Sequence, residues 1–176
     1  MASTARQRTL EIVLFPMLGA LMVGAQVAME GLPNIHLTGM FVLLFTAVFR
    51  KKALIPVYVY VLIMGVRWGF TLYWMPYLYV WAVLWAMGML VPERTPKKIT
   101  VFCYPAIGFL HGISYGTLYA PSQALFFGLD FSQTVAWIAA GFPWDVVHAL
   151  GNLAFCTLVL PLSLLLRKLL RKAGMR

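Results

Sequence analysis

Apolar residues run along this 176-residue chain in long stretches, broken by short groups of charge or by Pro and Gly. The stretches cover residues 9–29, 36–49, 53–70, 74–91, 100–119 and 145–166. A helix needs about 20 predominantly apolar residues to cross a bilayer, and the second and third stretches are the short ones. This spacing predicts an all-α integral membrane protein, a bundle of six transmembrane helices forming one domain over residues 1–176. The segment 119–144 holds two briefer apolar stretches, 124–129 and 134–140. Neither is long enough to span, so they predict short re-entrant or interfacial helices in a long outer loop between the fifth and sixth helices. The first stretch follows Arg6 and Arg8 and is long for a secretory signal core, which predicts a retained helix.

Composition removes whole classes of alternative. The chain is 62% apolar and 11% charged, whereas soluble domains run near one half and one quarter. A water-soluble core is excluded, and a multi-pass position in the plasma membrane is expected, with the lipid bilayer as surroundings. A net charge of +9 would suggest nucleic acid if the positives formed one basic face. They fall instead in clusters between apolar runs, so no nucleic-acid partner is expected. Cytoplasmic loops carry the Lys and Arg excess. With the N-terminus inside, the inside segments hold Arg6, Arg8, Arg50, Lys51, Lys52, Arg94, Lys97, Lys98, Arg167, Lys168, Arg171, Lys172 and Arg176, thirteen of the fourteen positives. Arg67 is the exception, and Glu30, Asp130 and Asp145 fall outside. Both termini are therefore expected inside. Cys103 and Cys156 lie in different runs without metal-ligand spacing, so no disulfide, metal or cofactor is expected.

Ionisable groups within spans cost about 2.5 to 3.5 kcal/mol each at the bilayer centre, so each needs a reason. The sixth stretch opens with Gly-Phe-Pro-Trp-Asp-Val-Val-His-Ala-Leu-Gly-Asn over 141–152. Asp145, His148 and Asn152 stand at i, i+3 and i+7, on one helix face over about 10 Å. In one reading Asp145 caps the helix behind Pro143, His148 packs on it and Asn152 bonds a neighbouring helix. In the other, the stripe lines a solute pocket open to the outside. Arg67, near the same depth, either pairs with Asp145 or Glu30 or meets an anionic ligand. The aromatic residues between Tyr58 and Trp85 suit an interfacial belt and lipid-facing bulk, but the stretch 67–76 is denser than a belt requires and offers stacking surfaces for a flat ligand at the outer face.

Two further patterns each admit two readings. Ala20, Gly24 and Ala28 recur every fourth residue, a small-residue seam for internal packing or for docking another subunit. Gly112-Ile-Ser-Tyr-Gly116 spells G-x-S-x-G, with His148 available as a base for Ser114. That elbow needs a strand-turn-helix context, which an apolar span does not offer. Similarity to rhomboid-type intramembrane serine proteases is partial, because Tyr115 interrupts their Gly-x-Ser-Gly; this is the alternative function. No phosphate-cradling Gly-Lys-Ser/Thr loop is present, so ATP hydrolysis would have to come from a partner.

Taken together, the six stretches, the first-helix seam, the loop 30–38 and the Gly-x-Pro-x-Asp-x-x-His-Ala-x-x-Asn motif of 141–152 resemble the S component of energy-coupling factor (ECF) vitamin transporters. The resemblance implies a substrate-binding subunit of an ABC-type importer rather than an enzyme. It would capture a water-soluble vitamin or precursor from outside and dock on a membrane coupling subunit driven by two cytoplasmic ATPases. It implies a pocket drawn from Asn34, His36, Arg67, Trp74, Tyr77, Tyr119, Asp145, His148 and Asn152, with docking through Ala20, Gly24 and Ala28. Aromatic density suggests a planar solute. Arg67 would suit a carboxylate or phosphate on it, and His36, Asp145 and His148 an amine or hydroxyl.

Overall fold

The computed structural model describes residues 5–175. Among these the regular structure is helical: α1 (Ala5–Ala28), α2 (Thr38–Phe49), α3 (Leu54–Trp68), α4 (Tyr77–Met89), α5 (Lys97–Ile113), α6 (Tyr115–Phe127), α7 (Phe131–Cys156) and α8 (Val159–Lys172), with a 3-10 turn, Arg50–Ala53, joining α2 to α3. The fold is all-α, as the run lengths predict. Within α1, Gln7–Ala28 is long and apolar enough to cross a membrane, and α7 with α8 meets the same test as a pair bent by 45°. Helices α2, α3 and α4 have 12, 15 and 13 residues. At 1.5 Å per residue they rise only about 18 to 23 Å, short of a hydrocarbon core of about 30 Å.

Helix α2 sits at the centre because it is apolar on every side. Residues 38–47 are all buried, and a helix without a polar face has no surface to give to water. Met22 of α1, Val57, Tyr60, Val61 and Met64 of α3, and Trp81 and Leu84 of α4 close around it. Arg50 follows α2 with a left-handed φ of 53°. Its guanidinium donates to the carbonyls of Val91 (3.0 Å) and Met89 (2.9 Å), oxygens that the end of α4 leaves without helical partners. Arg167 donates to the Ala47 carbonyl at the same end, and Lys52 pairs with Glu11 at 2.7 Å. Several of the basic residues expected only to mark topology thus also tie helix ends together. Arg176 and the Arg6 side chain lie outside the described residues.

The segment 119–144 departs from expectation. Rather than a long loop with short pieces, it contains most of α6 and the first half of α7, joined by three residues. Asp130 caps α7: its carboxylate accepts from the Gln133 amide (2.8 Å), and the Gln133 side chain accepts from the Asp130 amide (2.9 Å). That reciprocal box starts the helix at Asp130, well before Asp145. Pro143 therefore lies inside the helix, where proline forfeits the bond to the carbonyl four residues back. Pro143 and Ala139 are both exposed, so the freed carbonyl belongs to the outer face of α7.

Helices α5 and α7 pack most extensively, along glycines at every fourth position of α5 and α6. A Cβ on Gly108 would lie 2.6 Å from Cys156 Sγ, one on Gly112 2.6 Å from Ala149 Cα, and one on Gly116 2.5 Å from an Asp145 oxygen. Two of these are the glycines that spell G-x-S-x-G; here they let two helix backbones approach.

Candidate functional site

Helices α1, α3 and α5 end, and α2 and α4 begin, at the same end of the bundle, opposite the basic helix junctions. A site forms there from the break between α5 and α6. In an unbroken helix the Gly116 amide would bond the Gly112 carbonyl. Instead it donates to both carboxylate oxygens of Asp145, each at 3.0 Å. Asp145 is therefore not the helix cap of one sequence reading: it is a mid-helix acceptor that holds the break closed. Gly116 leaves room for the carboxylate, as its missing side chain requires.

One turn further along α7, His148 is buried. Its Nδ1 lies 3.2 Å from the carbonyl of Asn34, which stands in the α1–α2 connector at a left-handed φ of 57°. From α5, His111 sets Nε2 3.1 Å from the Val80 carbonyl. A carbonyl only accepts, so both of these nitrogens carry protons. Against His111 stands Trp81, fully buried, with ring centroids at 5.9 Å from His111, 6.0 Å from His36, 6.0 Å from Tyr115 and 5.5 Å from Tyr77. His148 closes the ring, 4.8 Å from both His36 and Tyr115. All three histidines of the chain thus meet in one aromatic cluster.

Six buried polar atoms in and beside this cluster have no hydrogen-bond partner among the described residues: five nitrogens, His36 Nδ1, Trp81 Nε1, His111 Nδ1, His148 Nε2 and Asn152 Nδ2, and the Tyr60 hydroxyl. A buried polar atom left so costs about 1 to 3 kcal/mol, and native proteins carry few of them. Burial beside His148 and His111 pushes the imidazole of His36, in the connector, down to about 3. It is neutral at physiological pH. No group of three His, Cys, Asp or Glu side chains among the described residues is arranged to hold a metal ion.

Two hollows open beside the cluster and share Pro33, Asn34, Tyr115 and Tyr119 as their common wall. The first, about 360 Å³, reaches Gln26, Glu30, His36, Trp68 and Tyr77. The second, about 320 Å³, reaches Trp137, Gly141, Trp144 and Asp145. Tyr119 lies on α6 rather than in a loop, stacked on Tyr115 at 5.2 Å, with its hydroxyl on the Tyr73 carbonyl at 2.7 Å. Another hollow, about 490 Å³, lies at the basic end, where Lys52 and Arg167 carry the bonds already described.

The sequence-predicted residues divide accordingly. Asn34, His36, Tyr77, Tyr119, Asp145 and His148 come together in or around the hollows. Arg67 does not enter them: it forms a two-pronged ion pair with Glu30. Trp74 is an anchor, its Nε1 donating to the Val61 carbonyl at 2.8 Å and its ring edge-on to Phe70. Asn152 lies deeper, against Gly39 of α2, where a Cβ would stand 2.8 Å from its Oδ1. His111 was not singled out from sequence, although a histidine inside an apolar run was signal enough; Trp81 entered only as one of the aromatic residues between Tyr58 and Trp85, and Tyr115 only as the residue that interrupts Gly-x-Ser-Gly.

Ser114 sits in the α5–α6 break with its Oγ 2.8 Å from the Leu110 carbonyl and 3.1 Å from that of His111. The Ser114 hydroxyl is thus spent on backbone carbonyls, and His148 Nε2 has no partner among the described residues, so no nucleophile-base bond joins the two. Ala20, Gly24 and Ala28 are exposed, and a Cβ on Gly24 would meet nothing within 4 Å. The inward face of α1 is carried by Gly19 instead, against Val59 and the Pro56 carbonyl. No protein-family model, curated protein or solved structure matches the chain.

Proposed function

We propose that the chain is a multi-pass membrane protein that captures a small water-soluble solute at the Asn34 end and passes it on by docking to a separate energy-supplying complex, in the manner of an ECF S component. The observation that carries this reading is the set of unpartnered buried nitrogens around Trp81, next to two hollows. Polar groups stranded among aromatic rings suit a solute that supplies the missing bonds. In this reading the bundle crosses the plasma membrane six times, with α5–α6 and α7–α8 each serving as one bent span. Bent spans of this kind free backbone groups only where protein covers them, as Asp145 does for Gly116. The basic end then faces the cytoplasm under the positive-inside rule.

The partners are a membrane coupling subunit and two ATPases, and the open small-residue stripe of α1 is the docking face. Small side chains there allow a partner helix to approach backbone to backbone. Affinity purification from native membranes tests this. Wild-type protein retains an ATPase-containing complex, and Ala20→Trp or Gly24→Trp loses it while leaving the monomer's thermal midpoint unchanged. Retention of the complex by both variants would remove α1 as the docking face.

A further inference from the structure

On the reading that this site captures a solute, we infer that the solute is a small planar heteroaromatic presenting N–H donors, neutral or positively charged, rather than a carboxylate or phosphate. The geometry of the two helix-borne histidines decides the sign of the site. His111 Nε2 gives its proton to Val80 and His148 Nδ1 gives its proton to Asn34. In each neutral ring the remaining nitrogen is a bare acceptor, and both remaining nitrogens are buried and unpartnered among the described residues. These two fixed acceptors, His111 against Trp81 and His148 against His36 and Tyr115, ask for donors on the solute, while the unpartnered N–H groups of Trp81 and Asn152 suit a ring acceptor on it.

The charges around the hollows agree with that assignment. Among the described residues neither hollow beside the cluster is lined by Lys or Arg; Glu30 lines one and Asp145 the other. Arg67, the one arginine at this end among the described residues, is already bound by Glu30 through both oxygens. An anionic solute would enter without a free counter-charge and would face the Asp145 carboxylate. A cationic or N–H-rich one meets aromatic faces, imidazole lone pairs and an acidic rim. Planarity follows from the walls: Tyr115 stacked on Tyr119 at 5.2 Å on one side, and Tyr77 with Trp68 edge-on at 6.1 Å on another. Hollows of about 320 and 360 Å³ are at the small end of ligand sites, which limits the solute to one or two rings.

Two planar probes of similar size separate the alternatives in detergent-purified full-length protein. 2-Aminobenzimidazole offers N–H donors and can carry a positive charge, whereas 1-naphthoate offers a carboxylate. Tryptophan fluorescence and thermal midpoint are read against probe concentration at pH 7.5. 2-Aminobenzimidazole is expected to quench fluorescence and raise the midpoint at concentrations at least tenfold below those needed for 1-naphthoate. His111→Phe and His148→Phe, which remove one acceptor each, are expected to weaken it about tenfold, and Arg67→Gln is expected not to weaken it. The selectivity of the unaltered protein stands as a readout even where a histidine variant folds poorly. Preference for 1-naphthoate, abolished by Arg67→Gln, would overturn the donor-rich assignment and leave solute capture standing. Binding of neither probe would overturn the assignment together with the capture site on which it rests.

Discussion

Asp145 is a buried carboxylate whose two oxygens share one backbone N–H, that of Gly116. A hydrogen bond to a charged acceptor contributes about 1.5 to 3 kcal/mol, and loss of one partner strands the other. Gly116→Ala places a methyl group 2.5 Å from the carboxylate, so we expect a loss of roughly 2 kcal/mol in denaturant unfolding. Asp145→Asn keeps an acceptor oxygen and should lose less than Asp145→Ala. Equal losses for the two would mean that the oxygen is not what holds the α5–α6 break. His36 carries a pH prediction of defined sign. Its imidazole ordinarily titrates near 6.5 and here is held down to about 3. Above 6.5 both folded and unfolded forms are neutral, and His36 contributes no pH dependence. Between 6.5 and 3 only the unfolded form takes up the proton, so stability falls as pH falls. The thermal midpoint of wild type should drop between pH 7 and pH 4.5 more steeply than that of His36→Gln; parallel curves would contradict the burial of His36. At this scale the sequence exposed the α7 stripe, because a spacing of three and four puts Asp145, His148 and Asn152 on one face. It did not expose their roles: whether an aspartate after a proline caps its helix or reaches across to another depends on where the helix begins.

That starting point is a matter of the element. Pro143 and the Gly before it read as a boundary, yet Asp130 and Gln133 supply a stronger one, since each satisfies the other's amide. Removing the cap by Asp130→Ala is expected to cost about 1 kcal/mol. Hydrogen exchange should increase in the first turns of α7 and not around His148. Increased exchange at His148 would mean that α7 opens as one unit rather than on either side of Pro143. Apolar periodicity located α1 to α4 closely, because charge or Pro and Gly interrupt the chain where those helices end. It failed over 119–144, where a helix of mixed face reads as loop, and it missed the glycine seam of α5 with α6. Gly108, Gly112 and Gly116 were legible as small residues four apart, but the serine between two of them drew attention to chemistry instead. The α1 stripe shows the opposite case: Ala20 and Gly24 have the same spacing and no neighbour inside the bundle.

Across the whole molecule, polarity separates by end. The helix junctions at one end carry Arg50 to α4, Lys52 to Glu11 and Arg167 to α2, a set of basic residues that fasten helices together. The other end gathers the three histidines, their aromatic neighbours and the Arg67–Glu30 pair. Charge clustering in the sequence set these basic residues apart from the α7 stripe, and Arg50, Lys52 and Arg167 do lie together at one end. The convergence of His36, His111 and His148 was not foretold, because they are separated by 75 and 37 residues, the differences 111 − 36 and 148 − 111, and only the packing of α5 against α7 and the Asn34 connector brings them together. The central claim is that this convergence is a solute site. Native mass spectrometry of the protein, extracted gently from the membranes in which it is made, tests it most directly. The account predicts a small molecule that survives purification on wild type and is lost from His148→Phe while the protein remains folded; wild-type and variant spectra both free of any bound small molecule, with the wild type fully folded, would contradict it.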